Sequence, residues 1–318
     1  MISCYILENN KVVPYPELDI DKITWCDVLE PSDNEIIEIS QKFKINLEDL
    51  EDCLDLTERP RFNYDHLLEN NLLLLRVVQS FEVELDKRAT NPIGIFFTSH
   101  DKILTIHPLL ARNFNDLIDV MNRQPIENAW FLVTELIHIL IKQLDQVSQK
   151  IATKIIDLQN KILRAPSVRE IHEPFELNSY LIFFNTSMLG NVNSIKGFFT
   201  RNRPIIEANI PLLENYDDVM TDSDQVYNFT SIYRDQFANI IDAYASVINN
   251  NLTQVMKVVG SISLILMIPT LIASIYGMNI GLPGGVTGSD RITFIVILIL
   301  SFGVSYITWL FFRRAKWL

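Results

Sequence analysis

Cysteine is scarce in this chain and follows no metal-binding or disulfide pattern: Cys4, Cys26 and Cys53 are odd in number, widely spaced and form no CxxC pair. Neither a zinc ribbon nor a disulfide framework is indicated, and a reducing compartment is the natural reading for the N-terminal part. Histidine is equally unpatterned. His66, His100, His107, His138 and His172 give no HExxH and no paired metal spacing, so structural or surface roles are expected for them. A nucleophile elbow, a Walker A sequence and a Gly-rich nucleotide loop are all missing, so neither enzyme activity nor ATP drive is indicated. Lys and Arg number 27 against 39 Asp and Glu, a net charge of −12 over 318 residues. A nucleic-acid partner is not expected, because phosphate affinity rests on clustered positive charge. The first residues show no basic segment followed by an apolar core, so no secretory leader is expected either.

What the chain has is two long charge-free runs near its C-terminal end. Val258 to Tyr276 holds 19 residues without a charge, and Ile292 to Phe312 holds 21. A bilayer core about 30 Å thick needs roughly 20 residues at about 1.5 Å each. One such run is as easily a buried core helix. Two, divided by the Gly-rich stretch 277–291, read as a transmembrane hairpin. Lys257 precedes the first span, and Arg313, Arg314 and Lys316 of the tail 313–318 follow the second. The positive-inside rule then places both termini in the cytoplasm and the loop 277–291 outside.

Residues 1–125 alternate in type. Strand-like runs at 2–7, 23–29, 72–78, 93–98 and 102–107 are separated by helix-like segments at about 33–43, 47–56 and 109–121, which reads as an α/β domain. Ser-Asp-Asn-Glu at 32–35 fits a helix capping box. From 126 to 217 the pattern is helical. One long helix is expected over 128–164, with Pro166 and Pro174 interrupting, and a second from about Phe175 to Asn202, with Pro204 and Pro211 ending that section. A last helix is expected from 218 to 276, about 88 Å long, the stalk running into the first span. The fold class is thus an α/β domain followed by long helices and a C-terminal two-helix transmembrane hairpin.

That last helix carries a stripe. Asp235, Asn239, Asp242, Ser246, Asn249, Thr253, Met256, Gly260, Ser263, Met267, Thr270, Ser274 and Gly277 alternate in steps of four and three, the period of a coiled-coil seam. The seam is polar, small or Met, while Val258, Val259, Ile262, Leu264, Ile265, Ile268, Leu271 and Ile275 lie mostly elsewhere. Close helix packing would explain Gly260 and Ser263. It would not explain acidic and amide residues in the same register below the membrane. A parallel ring of identical helices around a wet axis explains both. A regulatory protein merely tethered by its hairpin would need no such stripe.

The first span ends Tyr276-Gly277-Met278-Asn279, and here the chain resembles the CorA magnesium transporters, which carry a Gly-Met-Asn signature at the outer end of the first of two C-terminal spans. Val255–Val259 (VMKVV), the closing RRAKWL (313–318) and EDCLDLTERPR (51–61) extend the resemblance over nearly the whole chain. It implies a funnel-shaped homopentamer in the plasma membrane, with an inner ring of first-span helices, that conducts divalent cations inward. It further implies that Gly277, Met278 and Asn279 receive the hydrated ion, that Asp242, Asn249, Thr253, Ser263 and Thr270 line the pore, and that Met256 and Val259 form an apolar gate. A regulatory Mg²⁺ between Asp52 of one subunit and Asp218 of the next is implied as well. Asp52 also reads as part of a solvated acidic helix face, and Asp218 as part of an acidic helix N-terminus. The loop GLPGGVTGSD (281–290) lacks the Glu many relatives carry, and Thr253 stands where Asn is common. Mg²⁺, Co²⁺, Ni²⁺ and Zn²⁺ therefore remain open as the ion.

Overall fold

The computed structural model describes residues 1–85, 88–98, 100–108, 114–164, 172–278 and 291–317. These form two compact units, Met1–Ile241 and Asp242–Leu318. In the first, seven strands make one sheet: β1 (Ile2–Glu8), β2 (Lys11–Tyr15), β3 (Trp25–Leu29), β4 (Arg61–Asp65), β5 (Asn70–Val78), β6 (Thr90–Phe97) and β7 (Ile103–His107), in the spatial order β2-β1-β3-β7-β6-β5-β4. All neighbours are antiparallel except β3 and β7. A buried polar chain pins that parallel pair. Trp25 Nε1 donates to Thr105 Oγ1 at 3.0 Å, Thr105 Oγ1 donates to Asp27 Oδ1 at 2.5 Å, and His107 Nε2 meets the same oxygen at 3.0 Å.

Both faces of the sheet are covered, which is why its inner strands read as continuous apolar runs. Along β5, Leu73, Leu75 and Val77 enter one core with the long helices, while Leu72 and Leu74 enter the other with α1 (Asp33–Phe43) and α2 (Leu47–Asp52). The helix starts are chemically specified. Glu35 reaches back to the Ser32 N–H at 2.8 Å and its hydroxyl at 2.9 Å, completing the capping box of α1, and these bonds hold the Glu35 carboxyl below its ordinary range. Asn128 Oδ1 accepts from the N–H groups of Trp130 and Phe131 and so starts α4 (Ala129–Arg164).

Pro174, Pro204 and Pro211 lie at helix starts, and Pro166 lies outside the described residues. Pro174 lies in the first turn of α5 (His172–Arg201), and Pro204 opens α6 (Arg203–Glu207). Pro211 lies in the first turn of α7, which begins at Ile210, not 218, with Asn209 Oδ1 accepting from Leu212 N at 3.2 Å. A first-turn proline loses no helical hydrogen bond, because those N–H groups have no intrahelical partner. The segment expected to be helical over 109–121 is described from Phe114, as a 3₁₀ turn (Phe114–Leu117) followed by α3 (Ile118–Met121).

Arg76 is the strut of this unit. Its guanidinium donates to Thr90 Oγ1 (2.8 Å), to the carbonyls of Leu56 (3.1 Å) and Glu58 (2.8 Å), and to the Thr90 carbonyl. Burial holds its pKa below the ordinary guanidinium value. Arg76→Met keeps the stem but leaves these acceptors without their donor. It is expected to cost about 3 kcal/mol, read as a lowered Tm of the full-length protein in detergent.

The candidate ion pathway

In the second unit, the C-terminal part of α7 (Ile210–Tyr276) and α8 (Arg291–Arg314) are both long and apolar enough to cross a membrane. Ser261, Ser301 and Ser305 are buried where the two helices meet, small residues that allow close approach. Pro269 interrupts the hydrogen-bond ladder of α7. It has no N–H to give the carbonyl of Ile265, four residues earlier. Ser305 Oγ on α8 donates to that carbonyl at 3.3 Å, which satisfies it where no water is at hand.

The α8-facing side of α7 comprises Ser261, Ile265, Ile268 and Ile272, each buried or half-buried. Two residues after each comes Ser263, Met267, Thr270 and Ser274. At about 100° per residue these lie about 200° around the helix. The stripe is therefore on the far side from α8, and its members from Asp235 to Gly277 are all exposed in the single chain. A Cβ added at Gly260 would meet nothing within 4 Å. The structure thus places Asp242, Asn249, Thr253, Met256, Ser263 and Thr270 on one open face, with Val259 on its flank and 54% exposed.

The hydroxyls of that face have a defined polarity. Ser246, Thr253 and Thr270 each donate to a carbonyl one turn back, of Asp242 (3.0 Å), Asn249 (2.8 Å) and Leu266 (3.1 Å). A hydroxyl has one hydrogen. With it spent on the backbone, only lone pairs point outward. These three hydroxyls offer acceptors, the complement of the outward hydrogens on the waters of a hydrated cation.

Gly277 continues the helical pattern, its N–H donating to the Ala273 carbonyl at 2.9 Å, and Met278 is exposed beside it. Asn279 and the loop to 290 lie outside the described residues. At the other end of α8, Arg313 packs over the Trp309 ring at 5.2 Å and Phe312 stacks on Trp317 at 5.5 Å. Such a belt of aromatic and basic side chains suits a membrane–water interface.

The acidic candidates are in the first unit. Cys53, at the end of α2, is fully buried, and a Cβ added at Gly94 of β6 would run into its side chain. This close approach anchors α2 on the sheet and leaves Asp52 half-exposed. Asp52 Oδ2 accepts from Arg61 Nη2 at 2.6 Å, and Arg61 also pairs with Glu58. The Asp52–Arg61 pairing, nine residues apart across the end of α2 and the start of β4, is not legible in the pattern of charges. Next to it, burial raises the Asp49 carboxyl above its ordinary range, against the pull of Arg61. Asp218 is exposed on α7. Among the described residues no three His, Cys, Asp or Glu side chains gather into a metal site within one chain. Carboxylates are the donors Mg²⁺ takes, so Asp52 and Asp218 fit the ion chemically, with Arg61 as a built-in competitor at Asp52. Three histidines pair with carboxylates: besides His107, His138 Nε2 meets Asp222 at 2.9 Å and His172 Nδ1 meets Glu176 at 3.0 Å.

Comparison with known proteins agrees over the whole length. The sequence pattern of the family described as CorA-like Mg²⁺ transporter protein matches residues 21–314. The cobalt/magnesium transport protein CorA of Methanocaldococcus jannaschii is 23% identical over 329 residues, covering 100% of both chains. That of Thermotoga maritima is 22% identical over 312 residues, covering 95% of this chain and 86% of its own. The complete structure of the CorA magnesium transporter from Methanocaldococcus jannaschii superposes with a TM-score of 0.81 at 22% identity, covering 100% of this chain and 99% of that one. At that identity the structural likeness speaks to the fold.

Proposed function

The chain belongs to the family of CorA-like Mg²⁺ transporter proteins, and from that premise we propose that it is the pore-forming subunit of a homopentameric channel admitting Mg²⁺ to the cytoplasm. Residues 1–257 and the tail 313–318 are cytoplasmic, the spans 258–276 and 292–312 cross the cell membrane, and 277–291 faces outward. The observation that carries this reading is the exposed, acceptor-rich face of α7 opposite α8, continuous from Asp242 to Gly277. Within the span its Gly260, Ser263, Thr270 and Ser274 are small or polar where the other faces carry bulky aliphatic residues, so it belongs against water or against copies of itself. Mg²⁺ gives up its waters reluctantly. Gly277 carbonyls and Asn279 amides would bind it through those waters, and Asp242 and Asn249 would receive it below the gate at Met256 and Val259, where an apolar constriction can dewet. Two charges crossing 100 mV gain about 4.6 kcal/mol, enough drive without a nucleotide.

The test is flux into liposomes holding a Mg²⁺-sensitive dye, with an inside-negative potential set by K⁺ and valinomycin. Uptake should rise with the potential and require the protein. Protein-bearing vesicles no more permeable than empty ones would refute the reading. Replacing Mg²⁺ by Co²⁺, Ni²⁺ or Zn²⁺ reads the selectivity. Two of the curated relatives are cobalt/magnesium transport proteins, so Co²⁺ flux is the first alternative to measure.

Regulation follows from charge. Asp52 of one copy and Asp218 of the next repel each other unless a cation lies between them, so plentiful cytoplasmic Mg²⁺ would favour the arrangement that brings them together, taken here as the closed one. Asp52→Ala with Asp218→Ala is expected to raise the Mg²⁺ concentration for half-inhibition at least about tenfold in planar-bilayer recordings, a coupling of about 1.4 kcal/mol. Inhibition at the parental concentration would remove these residues from the sensor.

A further inference from the structure

Two thiols face one another inside the sheet. Cys4 on β1 lies directly opposite Cys26 on β3. At Met1 and Leu29 the two backbones exchange both hydrogen bonds, Met1 N to Leu29 O at 2.6 Å and Leu29 N to Met1 O at 2.9 Å. Bonded and non-bonded pairs alternate along an antiparallel ladder, so counting inward from that pair puts Cys4 and Cys26 at a non-hydrogen-bonded position. Side chains are closest there, with Cα atoms about 4.5 Å apart, within the span of about 4.4–6.8 Å that a disulfide bridges. The sulfurs stand 3.8 Å apart. Closing to a bond of about 2.0 Å requires about 1.8 Å of side-chain movement and no rearrangement of the strands. Cys53 has a different neighbourhood: its Sγ donates to the Asp49 carbonyl at 3.0 Å.

We propose that Cys4 and Cys26 are a modification site, a dithiol that peroxide closes to an intrachain disulfide. The two sulfurs are not equivalent. A Cys4 thiolate accepts from the Cys26 thiol, which outweighs burial and holds Cys4 below its ordinary pKa, while the same pairing and burial push Cys26 up. Cys4 is also the more exposed, at 7% against 0%. The Cys4 thiolate attacks a peroxide oxygen and the O–O bond breaks. Hydroxide leaves and takes up the Cys4 proton as water, giving a sulfenic acid. The Cys26 sulfur then attacks the Cys4 sulfur. The S–S bond forms, the S–O bond breaks, and the hydroxyl departs with the Cys26 proton as a second water. Two electrons pass from the sulfurs to peroxide. The bond would fasten the β1–β2 edge of the sheet to β3. This inference stands on strand register and is independent of the ion pathway.

The test counts thiols in the full-length protein in detergent. The sample is treated with hydrogen peroxide, quenched with catalase, unfolded in SDS and alkylated with N-ethylmaleimide before intact-mass measurement. Untreated protein should take up three labels. Treated protein should take up one, at Cys53, with a crosslinked peptide pair carrying Cys4 and Cys26, and dithiothreitol should restore all three. In Cys53→Ser the count should fall from two to none. Three labels after peroxide, oxygen added to the sulfurs without a crosslink, or a bridge to Cys53 or between chains would each overturn the assignment.

Discussion

Gly260→Leu is expected to reduce Mg²⁺ flux at least about tenfold, and Gly303→Leu is expected to leave it within about twofold of the parent. Both glycines lie in apolar helices, and a Cβ at either would meet nothing within 4 Å in the single chain. A lone subunit would therefore tolerate either leucine. They differ in helix and in the face they occupy. Gly260 is on the stripe, between Met256 and Ser263. Gly303 lies two residues after the buried Ser301 on α8, about 200° around from the contact with α7. If copies of α7 surround a narrow path, five leucines at 260 fill it with apolar volume and leave no wetted passage. If α7 faces lipid, leucine at 260 is as harmless as leucine at 303. Equal flux in the two variants, measured at matched incorporation into liposomes, would count against a ring built on this face.

Asn279→Ala is expected to abolish uptake while the assembly stays intact. The residue follows the last turn of α7 and closes the Tyr-Gly-Met-Asn sequence. An amide oxygen can accept from the outward hydrogens of a hydrated ion's waters, and a cation whose waters are held tightly must be recognised through them. Alanine offers no such oxygen. Native mass spectrometry in mild detergent separates loss of recognition from loss of assembly, and the same spectrum reads the subunit number, expected to be five. Parental uptake by an intact Asn279→Ala oligomer would exclude this role.

The stripe was legible because its period is strict: polar and small residues at steps of four and three stay together along a helix, drifting only about 20° per heptad. What lay opposite it was not. Ser305 relieves the carbonyl that Pro269 orphans, a pairing between residues forty apart that only the hairpin brings together. The clue was the proline inside an apolar span, which always leaves a carbonyl four residues earlier to be satisfied. Asp52 showed as one acid among several, because its distinguishing feature is Arg61 at 2.6 Å on a neighbouring strand.

In the sheet, β1, β3, β5, β6 and β7 followed from apolar runs. The edge strands β2 and β4 escaped, since each is short and only partly buried, and β2 contains Pro14, which an edge strand tolerates. One local signal for β2 was present. Asn9 and Asn10 both have positive φ, 50° and 60°, as a two-residue hairpin turn requires, and asparagine is among the few residues that take that conformation readily. Pro211 looks like a stop, yet Asn209 before it is a good N-cap, and that cap sets the start of α7 at Ile210.

Whether water and ions touch the stripe can be read directly by cysteine substitution along α7 in a background with Cys4, Cys26 and Cys53 changed to Ser, verified first for parental flux. Cysteines at 263, 267, 270 and 274 should react with a membrane-impermeant cationic methanethiosulfonate and lose flux on modification. Those at 261, 265, 268 and 272 should do neither. Reactivity confined to the α8-facing set, or equal on both, would contradict an ion path along the stripe.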